Sequence, residues 1–182
     1  SILMDCCGGG AGARTFADGI DTGGFMQSMS ASIPNVETTE SRYPVLQIYR
    51  RQRCDSGGPG RYRGGVAVEY ALLPHKSPGP IADVVFTSGA SQPEGHGLSG
   101  GGPASLALNM VLRASNVREM YAAGKIPCSA DEIQAEAREI LAAKDQTMLE
   151  AEDCHICLQT GGGGYGDPLR RDPHAVVLDV QR

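Results

Sequence analysis

The stretch VAVEYALLP, residues 66–74, decides the fold class, because it is the middle one of three segments that favour extended backbone. The first segment, YPVLQIYRR at 43–51, and the third, IADVVFTSG at 81–89, also contain β-branched and aromatic residues, which pack well on a pleated sheet. The intervening HKSPGP holds two prolines and a glycine, the composition of a turn. We therefore predict an antiparallel β-meander over residues 43–112.

Two segments outside the meander predict surface helices. Ser129 and Glu132 have the spacing of a capping box, and apolar residues then recur at helical spacing, which predicts a helix over 129–144. Near the end of the chain, Asp172 followed by Pro173 is typical of a helix start, with aspartate as N-cap and proline at the first helical position.

The segment DCHICLQT, residues 153–160, predicts a strand. In a strand, Cys154 and Cys157 point to opposite faces and cannot grip one ion without a tight turn. A structural zinc site also needs four ligands, and the sequence has no second pair at matching spacing. We therefore predict no metal site at CHIC, and a small zinc-binding accessory module is the alternative that this motif supports.

At 182 residues the chain has the length of one domain, and its ends, SILM and VVLDVQR, both look cut. We interpret it as a segment of a larger subunit with an α+β fold, in which glycine-rich loops lie on a mainly antiparallel β-meander with one or two surface helices. Its predicted parts are a loop-rich wall over 1–42, the meander over 43–112, a helix over 129–144, and a strand, glycine-rich loop and terminal helix over 153–182.

Composition excludes several classes of protein. Glycine supplies 25 of the 182 residues, which excludes a coiled coil or helical bundle. The net charge of −5 and the lack of a basic run argue against binding to nucleic acid. No apolar stretch approaches the roughly 18 residues of a membrane span, no signal segment is visible, and six cysteines fit a reduced compartment, so we expect a cytoplasmic protein.

The loop CDSGGPGRYRGG, residues 54–65, is the first candidate site. Arg61 and Arg63 bring forked guanidinium donors beside Asp55, and the glycines let the backbone approach a ligand closely. Such a loop can hold a carboxylate or phosphate, but it could equally be a tight connection whose arginines pair with Asp55 and Glu37. The predicted anion-binding glycines are Gly57, Gly58, Gly60, Gly64 and Gly65.

The loop TGGGGYGDP, residues 160–168, is the second candidate. A backbone without side chains either lines a ligand or packs tightly beneath another chain, and the sequence leaves both readings open. On the first reading, Gly163, Gly164 and Tyr165 contribute to the anion site.

Other titratable residues suggest weaker candidates. Glu37 and Glu40 precede Arg42, and an exposed ion-pair cluster is the commoner outcome for that pattern than acid–base chemistry. His75 in a turn and His96 in the glycine-rich loop could each act as a general base, but a lone loop histidine is usually solvated.

Three motifs occur in order along the chain: SIPNVETTESRYP, DSGGPGRYRGG and TGGGGYGDP. In this order they resemble the C-terminal part of the B-type subunit of the hydantoinase B/oxoprolinase family, and within it most closely the biotin-independent acetone and acetophenone carboxylases. The resemblance runs from about Gly8 to the end of the chain. The segment between about Arg118 and Asp153 departs from the family pattern.

The resemblance implies part of a multi-subunit, ATP-dependent enzyme. A hydantoinase A-like subunit would use ATP and Mg2+ to activate the substrate, and the B-type subunit would carboxylate a ketone enol or enolate with activated bicarbonate, without biotin. One alternative is an ATP-dependent cyclic-amide hydrolase of the N-methylhydantoinase or oxoprolinase kind. Another is a structural segment without a catalytic role.

The resemblance also suggests roles for residues and partners. Asp55, Arg61 and Arg63 would suit a phosphorylated intermediate as catalytic residues. The family's metal ligands lie in the N-terminal part, so a divalent metal, Zn or Mn, would belong elsewhere in the complex. The expected partners are the N-terminal remainder of the same subunit, the hydantoinase A-like subunit and a small accessory subunit, and the segment alone should be inactive.

Overall fold

The computed structural model describes residues 8–22 and 35–181. The strands in this part of the chain are β1 (Val45–Gln52), β2 (Val68–Pro74), β3 (Ile81–Phe86), β4 (Leu108–Arg113), β5 (Ala137–Ile140), β6 (Lys144–Leu149) and β7 (Cys154–Leu158). The α-helices are α1 (Val36–Arg42), α2 (Val117–Ala122) and α3 (Pro173–Gln181). None of the described helices is long and apolar enough to cross a membrane.

Five strands form one antiparallel sheet in the order β1-β2-β7-β4-β5. β7 lies in the middle, where Cys157 is opposite Tyr70 of β2 and His155 is opposite Val111 of β4. The fold is therefore mainly antiparallel sheet with few helices, and the predicted fold class is confirmed.

Hydrophobic clusters cover both faces of this sheet. Because successive side chains of a strand point to opposite faces, β7 contributes Cys157 to one cluster and both Cys154 and Ile156 to the other. β2 is buried at all seven positions, with Tyr70 and Leu72 on one face. The predicted strand at CHIC and the opposite directions of its two cysteines are confirmed.

β3 and β6 form a second, two-stranded antiparallel sheet. Its inner face contributes Val85 and Leu149 to the cluster that contains Cys157. Its outer face exposes large apolar side chains, with Val84 67% and Phe86 79% exposed.

A buried polar contact joins the two sheets. His155 of β7 is 5% exposed, and its Nδ1 lies 3.1 Å from Oδ2 of Asp83 on β3. Its Nε2 lies 3.1 Å from Oδ1 of Asn109 on β4, and Asn109 Nδ2 donates to the Thr87 hydroxyl. A buried polar group is costly unless it is paired, so these contacts fix how the small sheet lies on the large one.

The predicted meander is wrong in its pairing, although its three strands form close to the predicted places. β2 pairs with β1 on one edge and with β7 on the other, and β3 pairs with β6. The residues HKSPGP do form a turn, but this turn leads from the large sheet to the small one. β3 cannot pair with β2, because β1 and β7 already occupy both edges of β2. Turn residues indicate that the chain changes direction, not which strand lies beside the next.

The predicted helix over 129–144 is also wrong. Ser129 Oγ does donate to Glu132 Oε1 at 3.1 Å, but only one 3-10 turn, Ala130–Glu132, follows. Ile133 is then drawn into the core at 1% exposure, and β5 pairs with β4 through residues such as Ala137, opposite Arg113. Pairing with an open sheet edge outweighs the helical spacing of the apolar residues.

The predicted loop-rich wall over 1–42 is correct for residues 8–22, which form no helix or sheet strand, and wrong for α1. Asn35 caps α1 by accepting a hydrogen bond from the Thr38 amide at 3.0 Å. The predicted terminal helix is confirmed as α3, where Asp172 Oδ1 accepts from the His174 amide at 2.9 Å. The predicted features at 1–7 and 23–34 lie outside the described residues.

The central position of β7 gives a first prediction. Ile156→Ala removes a fully buried side chain, and we expect it to lower the free energy of unfolding by about 2–5 kcal/mol, because a cavity remains in the core. Val84→Ala on the exposed face of β3 is the control, with an expected loss below about 1 kcal/mol. Chemical denaturation of the full-length protein measures both, and equal losses would contradict the central position of β7.

Candidate functional site: the glycine bundle

The glycines of residues 160–166 lie at the centre of a bundle of backbone segments. A Cβ atom at Gly161 would overlap the carbonyl oxygen of Ser56, and one at Gly162 would overlap that of Ala11. The remaining two central glycines are equally confined: Gly163 lies against His96 O and Gly164 against Pro59 O. We call residues 9–13, 56–65, 95–104 and 160–166 the glycine bundle.

The surrounding segments need glycine for the same reason. A Cβ atom at Gly64 would overlap the carbonyl of Gly162, and one at Gly101 would overlap that of Gly164. Only glycine lets two backbones approach this closely, because it has no Cβ. The four glycine-containing segments are therefore parts of one packed unit, which the sequence analysis did not predict.

Hydrogen bonds between segments satisfy the bundle's backbone groups. The amide of Gly58 donates to Gly162 O at 2.8 Å, and the amide of Gly162 donates to Gly65 O at 2.9 Å. Tyr62 and Tyr165 exchange two such bonds, at 3.0 and 2.9 Å. Buried amides and carbonyls must find partners, and here they find them in neighbouring segments without forming a regular sheet.

The predicted anion-binding residues all lie in this bundle. Five of their amides already donate to protein carbonyls: those of Gly58, Gly64, Gly65, Gly164 and Tyr165. At the other three, Gly57, Gly60 and Gly163, a Cβ atom would overlap a carbonyl oxygen of a neighbouring segment or residue. An anion bound at the loop would therefore depend on side-chain donors rather than on these five amides.

The three predicted catalytic residues have different surroundings. Asp55 is exposed and has a φ of 53°, in the left-handed region. Arg61 is exposed, with its guanidinium carbon 5.4 Å from the centre of the Tyr62 ring. Within the described part of the chain, no hydrogen bond joins Asp55 to Arg61 or Arg63, and no carboxylate lies within ion-pair distance of Arg61.

Arg63 belongs to an ion-pair network. Its Nη1 lies 2.7 Å from Oδ1 of Asp21, and its Nε lies 2.9 Å from Oδ1 of Asp179 on α3. The hydrogen bond to Asp21 has the largest effect and raises the pKa of Arg63. Burial lowers this pKa by less, and the hydrogen bond to Asp179 raises it further, so the pKa lies above its usual value. With its side chain only 14% exposed, Arg63 holds α3 and residue 21 against the bundle.

Arg171 extends the network to Asp18. Its Nη2 lies 2.8 Å from Oδ2 of Asp18 and 2.8 Å from Oδ2 of Asp179. Burial alone would raise the pKa of Asp18, but the hydrogen bonds from Arg171 and from the Arg63 amide outweigh burial and hold that pKa below its usual value. The sequence carries no signal for this contact, because Asp18 and Arg171 are 153 residues apart.

The cysteines of CHIC are structural by their surroundings. Burial, with the charge of Asp153 as a lesser cause, raises the pKa of the Cys154 thiol to about 12, so the thiol stays protonated near neutral pH. Cys157 is also buried, on the other face of the sheet. Among residues 8–22 and 35–181, no group of three or more His, Cys, Asp or Glu side chains is placed to hold a metal ion.

The sequence matches a known protein family over most of its length. A family model described as hydantoinase B/oxoprolinase matches residues 1–168. The chain belongs to the hydantoinase B/oxoprolinase family. The resemblance stated from the three motifs is therefore confirmed.

Two curated family members indicate how much of such a protein this chain represents. The acetophenone carboxylase delta subunit of Aromatoleum aromaticum is 29% identical over 94% of this chain and 26% of that protein. The caprolactamase beta subunit of Pseudomonas jessenii is 32% identical over 94% of this chain and 26% of that protein. The chain thus spans about a quarter of the length of these relatives.

Solved structures show the same fold. A nucleotide-free structure of acetone carboxylase matches 97% of this chain and 25% of that chain, with a TM-score of 0.75 and 26% identity. The ATP-dependent caprolactamase of Pseudomonas jessenii matches 95% of this chain and 27% of that chain, with a TM-score of 0.69 and 26% identity. The fold is therefore that of a segment of a larger protein.

The crowding at Gly162 gives a second prediction. We expect Gly162→Ala to prevent assembly of the bundle, because a methyl group has no space between Gly162 and the Ala11 carbonyl. The readouts are soluble yield and midpoint of thermal unfolding of the full-length protein.

Gly79→Ala is the matched control for that substitution. No atom lies within 4 Å of a Cβ at Gly79, so we expect a change within about 1 kcal/mol in stability. Equal tolerance of both substitutions would refute the packing role of Gly162.

Proposed function

We propose that this chain is part of the B-type subunit of a multi-subunit, ATP-dependent, biotin-independent ketone carboxylase. The observation that carries the proposal is the match to acetone carboxylase over 97% of this chain, with a TM-score of 0.75. The 29% identity to the acetophenone carboxylase delta subunit supports the same substrate class.

In the proposed reaction, a new carbon–carbon bond forms between the α-carbon of an activated ketone enol or enolate and the carbon of activated bicarbonate. ATP, with Mg2+, supplies the phosphoryl groups that activate both reactants and leave as phosphate. A hydantoinase A-like subunit is the proposed site of ATP use, with the N-terminal remainder of the subunit and a small accessory subunit as further partners. A divalent metal would be held elsewhere in the complex.

The other three segments of the glycine bundle are proposed to act as the rigid support of loop 54–65. Their crowded backbones and the ion pairs of Arg63 hold the loop from several sides. Arg61 is then the proposed contact to an anionic intermediate, because its guanidinium is exposed at the bundle surface. Asp55, exposed in the same loop, is proposed to orient that group or the substrate.

An ATP-dependent cyclic-amide hydrolase is the second candidate. It is favoured by the 32% identity to a caprolactamase beta subunit and by the caprolactamase structure with a TM-score of 0.69. In that reaction water opens the ring: a lactam gives an amine and a carboxylate, and a hydantoin gives a ureido group and a carboxylate.

One experiment separates the two candidates. The full-length protein, purified with its native partner subunits, is given ATP, Mg2+ and labelled bicarbonate with acetone or acetophenone, and separately given caprolactam or hydantoin. ATP-dependent fixation of label into acid-stable product supports the carboxylase. Ring opening without fixation supports the hydrolase, and neither activity in an intact complex would refute both.

The loop gives a further prediction. Arg61→Ala should lower turnover at least about tenfold in the same complex, because one charge-assisted hydrogen bond contributes about 1.5–3 kcal/mol. Arg138→Ala, an exposed arginine on edge strand β5, is the control and should leave turnover unchanged. Unchanged kinetics in a folded Arg61→Ala complex would remove this loop from the site.

A further inference from the structure

A cleft of about 440 Å³ lies away from the glycine bundle, where α1 ends, β1 begins and β2 ends. One wall is formed by Glu40, Ser41 and Arg42 at the end of α1, and another by His75 and Lys76 just after β2. The two sides are tied together because the His75 amide donates to Pro44 O at 2.8 Å. Ligand sites commonly have volumes of this size.

His75 brings an unsatisfied polar atom to this cleft. Its Nδ1 is buried and has no hydrogen-bond partner among the described residues. A buried nitrogen without a partner costs free energy, and the imidazole ring has to turn toward the cleft before a ligand or water there can remove that cost.

The charged groups of the cleft favour an anion. Arg42 and Lys76 are exposed cations on its two sides. Glu40 also lines the cleft, but its Oε1 already accepts a hydrogen bond from the Gln47 amide at 2.8 Å. The carboxylate keeps its charge, so the cleft has two cations against one anion, and its net charge is positive.

Lys76 stands at a strained backbone position. Its φ is 54°, in the left-handed region that costs a residue with a Cβ free energy and that glycine occupies without strain. Strained residues that persist in a fold often lie at functional sites. A lysine here places an ammonium group at the mouth of the cleft, at a position where glycine would fit the backbone better.

The rest of the lining is apolar or aromatic. Tyr43 is half-buried, and Leu46 beside it is also half-buried. The cleft therefore combines two cations and an unsatisfied imidazole nitrogen with an apolar wall, which is the composition of a site for an amphipathic anion.

We propose that this cleft binds a small ligand that carries an oxyanion, a carboxylate or a phosphate, on an apolar body. Arg42 and Lys76 hold the oxyanion, the imidazole of His75 turns so that Nδ1 completes the ligand's hydrogen bonds, and the apolar body lies on Tyr43 and Leu46. The site lies on different elements from loop 54–65 and does not depend on the reaction proposed above.

The test is equilibrium dialysis of the full-length protein in chloride at physiological ionic strength. Two labelled probes, inorganic phosphate and benzoate, separate the two sources of the oxyanion. Arg42→Ala and Lys76→Gly should each weaken one binding site per chain about tenfold for at least one probe, because each removes a charge-assisted contact. Lys125→Ala, an exposed lysine outside the cleft, is the control and should leave binding unchanged.

Lys76→Gly also keeps the test independent of folding. Glycine relieves the strain at φ 54°, so this variant should unfold at the same or a higher temperature while it loses the ligand. If the variants bind phosphate more weakly and benzoate unchanged, the cleft is a phosphate site. If they bind benzoate more weakly and phosphate unchanged, it is a carboxylate site. Unchanged binding of both probes in folded Lys76→Gly protein overturns the proposal.

Discussion

The close approach of backbones around Gly161–Gly164 is the constraint on which the rest of the structure depends. Segments from four distant parts of the chain meet there, and their amides and carbonyls satisfy one another. A side chain at the centre would separate the segments and leave these groups unpaired. Hydrogen bonds between backbones, rather than a cluster of apolar side chains, thus hold the bundle together.

The bundle and the main sheet share one continuous piece of chain. β7 ends at Leu158 and the central glycines begin three residues later, at Gly161, so the strand that occupies the middle of the sheet also leads into the middle of the bundle. Arg53 strengthens this junction, since its Nη1 donates to the carbonyls of Leu106 and Gln159. The sheet therefore positions the central segment, and the bundle positions loop 54–65 around it.

Charged residues act mainly as ties between these parts. Asp179 of α3 bridges Arg63 of the loop and Arg171 beside the helix. Arg113 of β4 likewise ties separate segments together, because it contacts Glu139 of β5 and Asp153 before β7. An arginine that sequence reading assigns to a ligand site can thus be occupied by carboxylates from remote segments, as Arg63 is. Arg61, two residues away, is not occupied in this way within the described residues.

Local signals in the sequence determined the strands β1, β2, β3 and β7, the cap of α3, the opposite faces of Cys154 and Cys157, and the family. Each depends on residues that are neighbours in the chain, through alternation, capping or motif order. Tertiary structure decided the rest. Part of the segment predicted as a helix over 129–144 forms strand β5, because the edge of β4 was available for pairing. β3 does not pair with β2, because β1 and β7 occupy both edges of β2. The glycine motifs became one bundle because their partners are other glycines far away in sequence. A run of glycines indicates only that another group can come close to the backbone, and the tertiary structure determines which segment of the chain does so.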